Sequence, residues 1–233
     1  MILLDGKELE NLREQNKEIQ RVMYGTKPVW ENFKAYKLGT GTSFNVASIY
    51  PNYNQLTVDN FFIKSVTRNP TFSDSIVASQ YGPRLGGGAG LTKTYNASTG
   101  VLSANYHASG SGTDTSTVTI VFIPDIQKQI ENGRVVYLGN GRSFDMRNIS
   151  VDWANLTNDN FLISSANYTS MNQRYYEGGA YSCSGYGQLG FSYNSSTGVL
   201  QAYSNLIFTN NGGGWLSNVY SNANMYFVRK AIV

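Results

Sequence analysis

"LTVDNFFI" (residues 56–63) and "LTNDNFLI" (156–163) are nearly the same eight-residue phrase, written twice at an interval of 100 positions. Two further blocks extend the match. "LGTGTSF" (38–44) returns as "LGNGRSF" (138–144), again 100 positions on, and "YNASTGVL" (95–102) returns as "YNSSTGVL" (193–200), 98 positions on. Across the three blocks 18 of 23 positions are identical, in one order and at nearly one spacing, which reads as a tandem duplication of a unit of 95–100 residues. Such a period exceeds that of solenoid repeats and propeller blades and matches a small domain.

Each copy has the period of β-structure. "STVTIVFI" (116–123) sets Val118, Ile120 and Phe122 on one face. "GVLSANYH" (100–107) groups Leu102, Ala104 and Tyr106, and "GVLQAYSN" (198–205) groups Leu200 and Ala202. The Asn-x-Ser-Thr-Gly that precedes each is hairpin chemistry, since Asn and Gly tolerate left-handed backbone. In the opening phrase Thr57 and Thr157 are suited to cap a short turn containing Asp59 and Asp159, after which Phe61/Ile63 and Phe161/Ile163 begin a core-facing strand. The expected fold class is all-β: two tandem duplicated antiparallel β-sandwich domains, at 36–132 and 133–233, behind a short helical or extended anchoring arm at 1–35.

The composition agrees. Charged residues are only 14% of the 233, while Gly (24) and Tyr (17) are abundant. The net charge of +3 is dispersed, with no basic run, so a nucleic-acid partner is not expected. Cys183 is the one cysteine, which excludes an internal disulfide. No window is apolar enough to insert in a membrane, and no signal-peptide pattern opens the chain, so synthesis in a cytoplasm is expected.

The arm differs in kind, holding 12 of the 33 charged residues in its first 36 positions. Residues 7–23 favour a helix, with Leu9, Leu12, Ile19 and Met23 at a/d spacing and Asn16 at the remaining a position. These residues, with Trp30, are the expected anchoring and oligomerising set. The competing reading pairs part of this region as strands about Gly25-Thr26-Lys27, because "EIQRVMYGTKPVW" also alternates. The segment "LDGK…IQRVMYGTKPVWENF" (4–33), together with "YLGNGRSFD" (137–145) and "LTNDNFLI", resembles small virion structural proteins of the tail, neck or head-appendage type from tailed bacteriophages of Gram-positive hosts. The resemblance implies a virion component fixed by its amino terminus and displaying β modules, with other virion proteins as partners and a homo-oligomer, by preference a trimer.

Chemistry is sparse. His107 is the sole histidine, which removes HExxH and Cys/His metal sites, and it reads as a strand-end residue. Nine acids lie beyond residue 36, two of them inside the repeated turn, a poor basis for a paired-carboxylate cleft. "GGGAGLTK" (86–93) lacks the strand–helix setting of a phosphate loop and reads as a hairpin tip. No enzyme activity, cofactor or metal is expected.

Aromatic divergence between the copies is the remaining signal. Tyr53 stands opposite Trp153, and the second copy adds Tyr175, Tyr176, Tyr181, Tyr186 and Trp215 on Gly/Asn-rich segments. Rings beside amides suit sugar or protein surfaces. Tyr53, Trp153, Tyr175, Tyr176, Tyr181 and Trp215 are therefore the candidate ligand-contacting set, for host cell-surface polysaccharide or protein. Rival readings are a decoration protein that stabilises the particle and a bacterial carbohydrate-binding surface protein.

Overall fold

The structure, a computed structural model, describes residues 33–77, 88–109, 114–167, 169–170, 180–210, 218–230 and 232, and before them the backbone of three short strand pairs. In the first repeat the described strands are β1 (Tyr36–Gly41), β2 (Ser43–Asn45), β3 (Phe61–Val66), β4 (Thr71–Val77), β5 (Gly88–Asn96), β6 (Val101–Ser109), β7 (Asp114–Ser116) and β8 (Val118–Phe122). A short helix, α1 (Ile126–Glu131), leads into the second. There the order recurs as β9 (Val135–Gly141), β10 (Ser143–Asp145), β11 (Phe161–Ala166), β12 (Thr169–Ser170), β13 (Ala180–Asn194), β14 (Val199–Asn210), β15 (Val219–Ser221) and β16 (Ala223–Val228). The chain is an all-β protein of antiparallel sheets.

The repeated blocks are the joints of this design. In "LTxDNFxI" the leucine is buried and Thr57 or Thr157 caps a 3-10 turn. The turn's last residue is a buried asparagine that works as a clamp. Asn60 Oδ1 accepts the Thr57 backbone N–H (2.8 Å), and Asn60 Nδ2 donates to the Ile123 carbonyl (3.0 Å). Asn160 makes the same two bonds, from Thr157 N–H and to the Val228 carbonyl, each at 3.0 Å. Each clamp ties the start of β3 or β11 to the end of its neighbour, β8 or β16. In the Asn-x-Ser-Thr-Gly turns, Asn96 and Asn194 accept the next backbone N–H groups, and Gly100 (φ +68°) and Gly198 (φ +70°) supply the left-handed residue.

The strand faces are those the period assigns. Val118, Ile120, Phe122, Leu102, Ala104, Tyr106, Leu200 and Ala202 are all buried. Burying each of the larger side chains contributes about 1.5–3 kcal/mol.

The two repeats interlock. One six-stranded sheet runs β9-β16-β11-β3-β8-β1, with repeat 2 forming one half and repeat 1 the other. Its middle pair sets Ile63 opposite Ile163, the matching residues of the duplicated phrase, so the halves are related by an approximate two-fold axis at that point. Two further sheets cover it, β12-β5-β6-β7 with β2 beside β6, and β4-β13-β14-β10 with β15 beside β14. Here β4 and β12 are exchanged. β4 of repeat 1 pairs along β13 of repeat 2, and β12 of repeat 2 pairs with β5 of repeat 1. One core cluster runs through both halves, containing Phe61, Ile63 and Phe122 as well as Phe161, Ile163 and Phe227. A smaller cluster on the other face of the central sheet joins Phe62, Val121, Leu162 and Val228 to Ile232, with Ile126 and Ile130 of α1 packed against it. The expectation of layered antiparallel sheets is met; the shared sheet and exchanged strands are what a picture of two self-contained modules leaves out.

Two local expectations are corrected. The described residues of 7–23 are strand where a helix was expected: Leu3–Leu4 pairs antiparallel with Lys7–Glu8, Arg13–Glu14 with Lys17–Glu18, and Arg21–Tyr24 with Lys27–Glu31. A helix of two heptads has too few residues to offset its nucleation cost without a partner helix, and short strands pair locally instead. The pairing of Tyr24 with Lys27 is the competing arrangement that the alternation allowed. Leu9, Leu12, Asn16 and Ile19 lie outside the described residues, while Met23 and Trp30 fall in strands rather than on a helical seam. The second correction concerns "GGGAGLTK": its residues from Gly88 onward are strand β5 rather than a hairpin tip, and Ala89 is fully buried.

Candidate functional site

The segments between β2 and β3, and between β10 and β11, form matching tips. Each is built from 3-10 turns: Val46–Ser48, Tyr53–Gln55 and Val58–Asn60 in repeat 1, and Met146–Asn148, Trp153–Asn155 and Asn158–Asn160 in repeat 2. Because β3 and β11 pair antiparallel, the tips lead into the shared sheet from opposite ends. Their backbones are held alike. Val46 N–H donates to the Gly100 carbonyl and Met146 N–H to that of Gly198, both at 2.8 Å. Tyr95 Oη donates to the Tyr53 carbonyl (2.8 Å) and Tyr193 Oη to the Trp153 carbonyl (2.5 Å).

Tyr53 and Trp153 thus occupy equivalent places, each half-buried and packed on the edge of the core. Each ring rests on its turn glycine. A Cβ on Gly100 would lie 2.8 Å from Tyr53 Cδ2, and one on Gly198 would lie 3.1 Å from Trp153 Cε3. The structure does not bring the two rings together, since each caps its own repeat. Of the other candidate residues, Tyr175, Tyr176 and Trp215 lie outside the described residues, and Tyr181 sits in β13 opposite Ile76. Apolar side chains also protrude at the tips: Ile49 is 45% exposed and Val151 is 94% exposed.

Sequence reasoning passed over the charged pair of the second tip. Asp145 accepts from Arg147 Nε (2.8 Å) and Nη2 (2.7 Å), and from the Arg147 backbone N–H (3.1 Å). The guanidinium holds the Asp145 carboxyl below its usual range, and Asp145 raises Arg147 in return. Burial, then the Asp145 charge, pushes the neighbouring Tyr193 phenol up. Repeat 1 has Asn45 and Ala47 in these places. The signal was present as "FNVA" (44–47) against "FDMR" (144–147), a divergence directly after an otherwise matching block.

Elsewhere the chemistry is structural. His107 lies within β6, where its Nδ1 is 3.3 Å from Thr92 Oγ1. Lys93 is half-buried on β5; its Nζ donates to the Phe61 carbonyl (2.6 Å), and burial pulls its ammonium down to about 8, with Asp59 opposing. Asp114 joins Arg68 and accepts from Thr71 N–H (2.9 Å), which fixes the start of the exchanged strand β4. Among the described residues no group of three His, Cys, Asp or Glu is gathered as metal ligands, and no helix is long and apolar enough to cross a membrane.

Comparison of the chain with protein-family models, with curated proteins and with solved structures gives no match in any of the three. The class that the fold and tips define is an all-β protein whose two sequence repeats share a sheet and exchange strands, each carrying a tip with a half-buried aromatic ring.

Proposed function

We propose that this protein is a structural component of a bacteriophage virion, of the tail, neck or head-appendage kind, that displays its duplicated β body for adhesion to host-surface glycan. The observation that carries the reading is the pair of tips, where Val151 and Ile49 stand exposed beside the half-buried rings of Trp153 and Tyr53. Their placement next to an aromatic ring at both tips supports a contact role, since interfaces gather aromatic and apolar groups. In this reading the amino-terminal segment, composed unlike the body, attaches the protein to the particle. Several copies, assembled as a homo-oligomer, multiply modest single-site affinities. A trimer then rests on the resemblance to phage proteins alone, since the described part of the arm offers no helical seam.

A decoration role is the second reading. It is favoured by Tyr137 and Tyr220, 48% and 50% exposed on strands β9 and β15, which suit contacts with other subunits. One experiment separates the two. Labelled full-length protein is titrated onto Gram-positive host cells and onto their extracted wall polysaccharide, while antibody to the protein is used to locate it on particles. Saturable binding with label at an exposed virion site supports adhesion. Label on the particle with no binding to cells or polysaccharide leaves decoration, and no label on particles removes the virion assignment.

A further inference from the structure

The two tips share a backbone, and this makes repeat 1 an internal control for repeat 2. At superposable positions Asn45, Ala47 and Tyr53 give way to Asp145, Arg147 and Trp153. The replacements are coupled in space. The position a Cβ would take on Gly198 lies 2.6 Å from Arg147 Cγ and 3.1 Å from Trp153 Cε3, so the arginine stem and the indole edge lie side by side over one glycine. The three atoms nearest the same point on Gly100 belong to Ala47 and Tyr53. Asp145 then grips the guanidinium by Nε and Nη2, leaving Nη1 with no partner among the described residues. Arg147 is 55% exposed along its side chain and Asp145 is 35% exposed, so the fork faces solvent while its geometry is fixed.

We infer that the tip of repeat 2, built from Trp153, Arg147 and Asp145, is a binding site for a neutral pyranose, and that the tip of repeat 1 is not. The chemistry selects the ligand class. A pyranose offers an apolar C–H face to an indole, and adjacent hydroxyls that accept from Arg147 Nη1 while donating to Asp145. The cation is already neutralised by its partner, and exposed Asp152, which directly precedes Trp153 in the chain, adds a negative charge to the tip. A carboxylated or phosphorylated sugar therefore meets a fork with no net positive charge. Fixing the fork before binding reduces the side-chain ordering cost.

This inference rests on the adhesion reading, and the experiment is arranged so that the two fail separately. Full-length protein is titrated calorimetrically with methyl glucoside, methyl galactoside and methyl N-acetylglucosaminide, with glucuronic acid and glucose 6-phosphate as charged counterparts, and separately with whole wall polysaccharide. The expected result is one site per chain, at least about tenfold preference for a neutral sugar over its charged counterpart, and at least about tenfold weakening in Arg147→Ala and in Trp153→Ala. The triple change Asn45→Asp, Ala47→Arg, Tyr53→Trp raises the count to two. Urea midpoints near wild type show that the variants are folded, and Arg147→Lys, which keeps charge but loses the fork, is expected to bind as poorly as Arg147→Ala. Wild-type binding retained in Arg147→Ala and Trp153→Ala overturns the site and leaves adhesion standing. Tighter binding of the charged sugars overturns the ligand class. Failure of every sugar and of the polysaccharide overturns adhesion and this site together.

Discussion

Replacing Asn60 by Asp changes one NH₂ to an oxygen and tests whether the repeated phrase works as a clamp. The acceptor role survives, because Oδ1 still meets the Thr57 N–H at 2.8 Å, but the donor to the Ile123 carbonyl at 3.0 Å becomes a second acceptor. Asn60 is only 7% exposed, so water does not replace the lost bond. Leaving a buried carbonyl unpaired costs about 1–3 kcal/mol. Ionisation adds to this, since burial and the adjacent Asp59 both disfavour a carboxylate. The folded-state pKa of the new carboxyl is therefore raised, because its protonated form can donate to Ile123. The unfolded chain releases this proton near pH 4 and the folded chain at higher pH, so in between the folded state holds the extra proton. Stability relative to wild type is thus least affected below about pH 4 and falls by up to about 1.4 kcal/mol per pH unit above it, until the folded-state pKa is passed. Urea unfolding at pH 4 to 8 is expected to show a deficit of about 1 kcal/mol at the acid end and about 3–4 kcal/mol at pH 8. Asn54→Asp, at an exposed position two residues from the clamp's Leu56, controls for the charge change. A deficit under about 1 kcal/mol at pH 8, or one that does not vary with pH, refutes the clamp.

The other expectations are shorter. Asn160→Asp should reproduce the Asn60→Asp profile through the Val228 carbonyl, and each variant should unfold in one transition because the repeats share a sheet and a core; two resolved transitions in urea count against the interlock. Burial lowers the Lys93 ammonium from 10.5 to about 8, so its penalty is full below pH 8 and relieved as pH rises to about 10.5. Lys93→Met relieves this penalty but gives up the bond to the Phe61 carbonyl, so it should exceed wild type in stability by about 1–2 kcal/mol at pH 7, an advantage that shrinks between pH 8 and 10 in denaturant titrations. Phe72, on exchanged strand β4, is 4% exposed and meets Phe208 edge-on at 5.5 Å; Phe72→Ala should cost about 3–5 kcal/mol by the same assay, and a loss near zero would mean that β4 does not seat in repeat 2. Gly187→Ala brings a Cβ to 2.4 Å from that of Ala89 and 2.8 Å from Tyr106 Oη; it should destabilise by about 1–3 kcal/mol, with part regained in the double variant Gly187→Ala, Ala89→Gly.

The strands and turns were legible because their rules are local. Period two placed Leu102, Ala104 and Tyr106 on the buried face, and Asn-x-Ser-Thr-Gly marked both hairpins. Partner choice was not legible. Nothing in the spelling of β4 or β12 says that each pairs across the repeat boundary, because main-chain ladders are blind to sequence and only the fit of residues such as Phe72 decides. The described residues of 7–23 are strand instead of the expected helix for a related reason. Heptad spacing states what a helix would bury, and without a partner surface the local strand pairings win. At the tip, Trp153 stood out as an aromatic replacement, whereas Asp145 and Arg147 gain meaning only when the fold lays the arginine stem beside the indole over Gly198.

Carrying both repeats in one chain leaves the halves free to differ. Near the two-fold axis Tyr106 and Ser204 occupy equivalent positions of β6 and β14, as do Ala89 and Gly187 on β5 and β13. Tyr106 is fully buried and its hydroxyl approaches Gly187; Ser204 is fully buried as well. Burial raises the Tyr106 phenol well above its ordinary value, with the Ser204 hydroxyl opposing, so the two side chains share one interior space. In a symmetric pair of identical repeats the axis would face two tyrosines, overfilling that space, or two serines, leaving a void. Close-packed interiors tolerate neither without cost. One large and one small residue fill it, and that solution is open only to a chain carrying both copies. The same freedom applies at the tips. Once the repeats are fused, a replacement such as Ala47 against Arg147 affects one end alone, so the body can keep its approximate symmetry while one tip acquires a site.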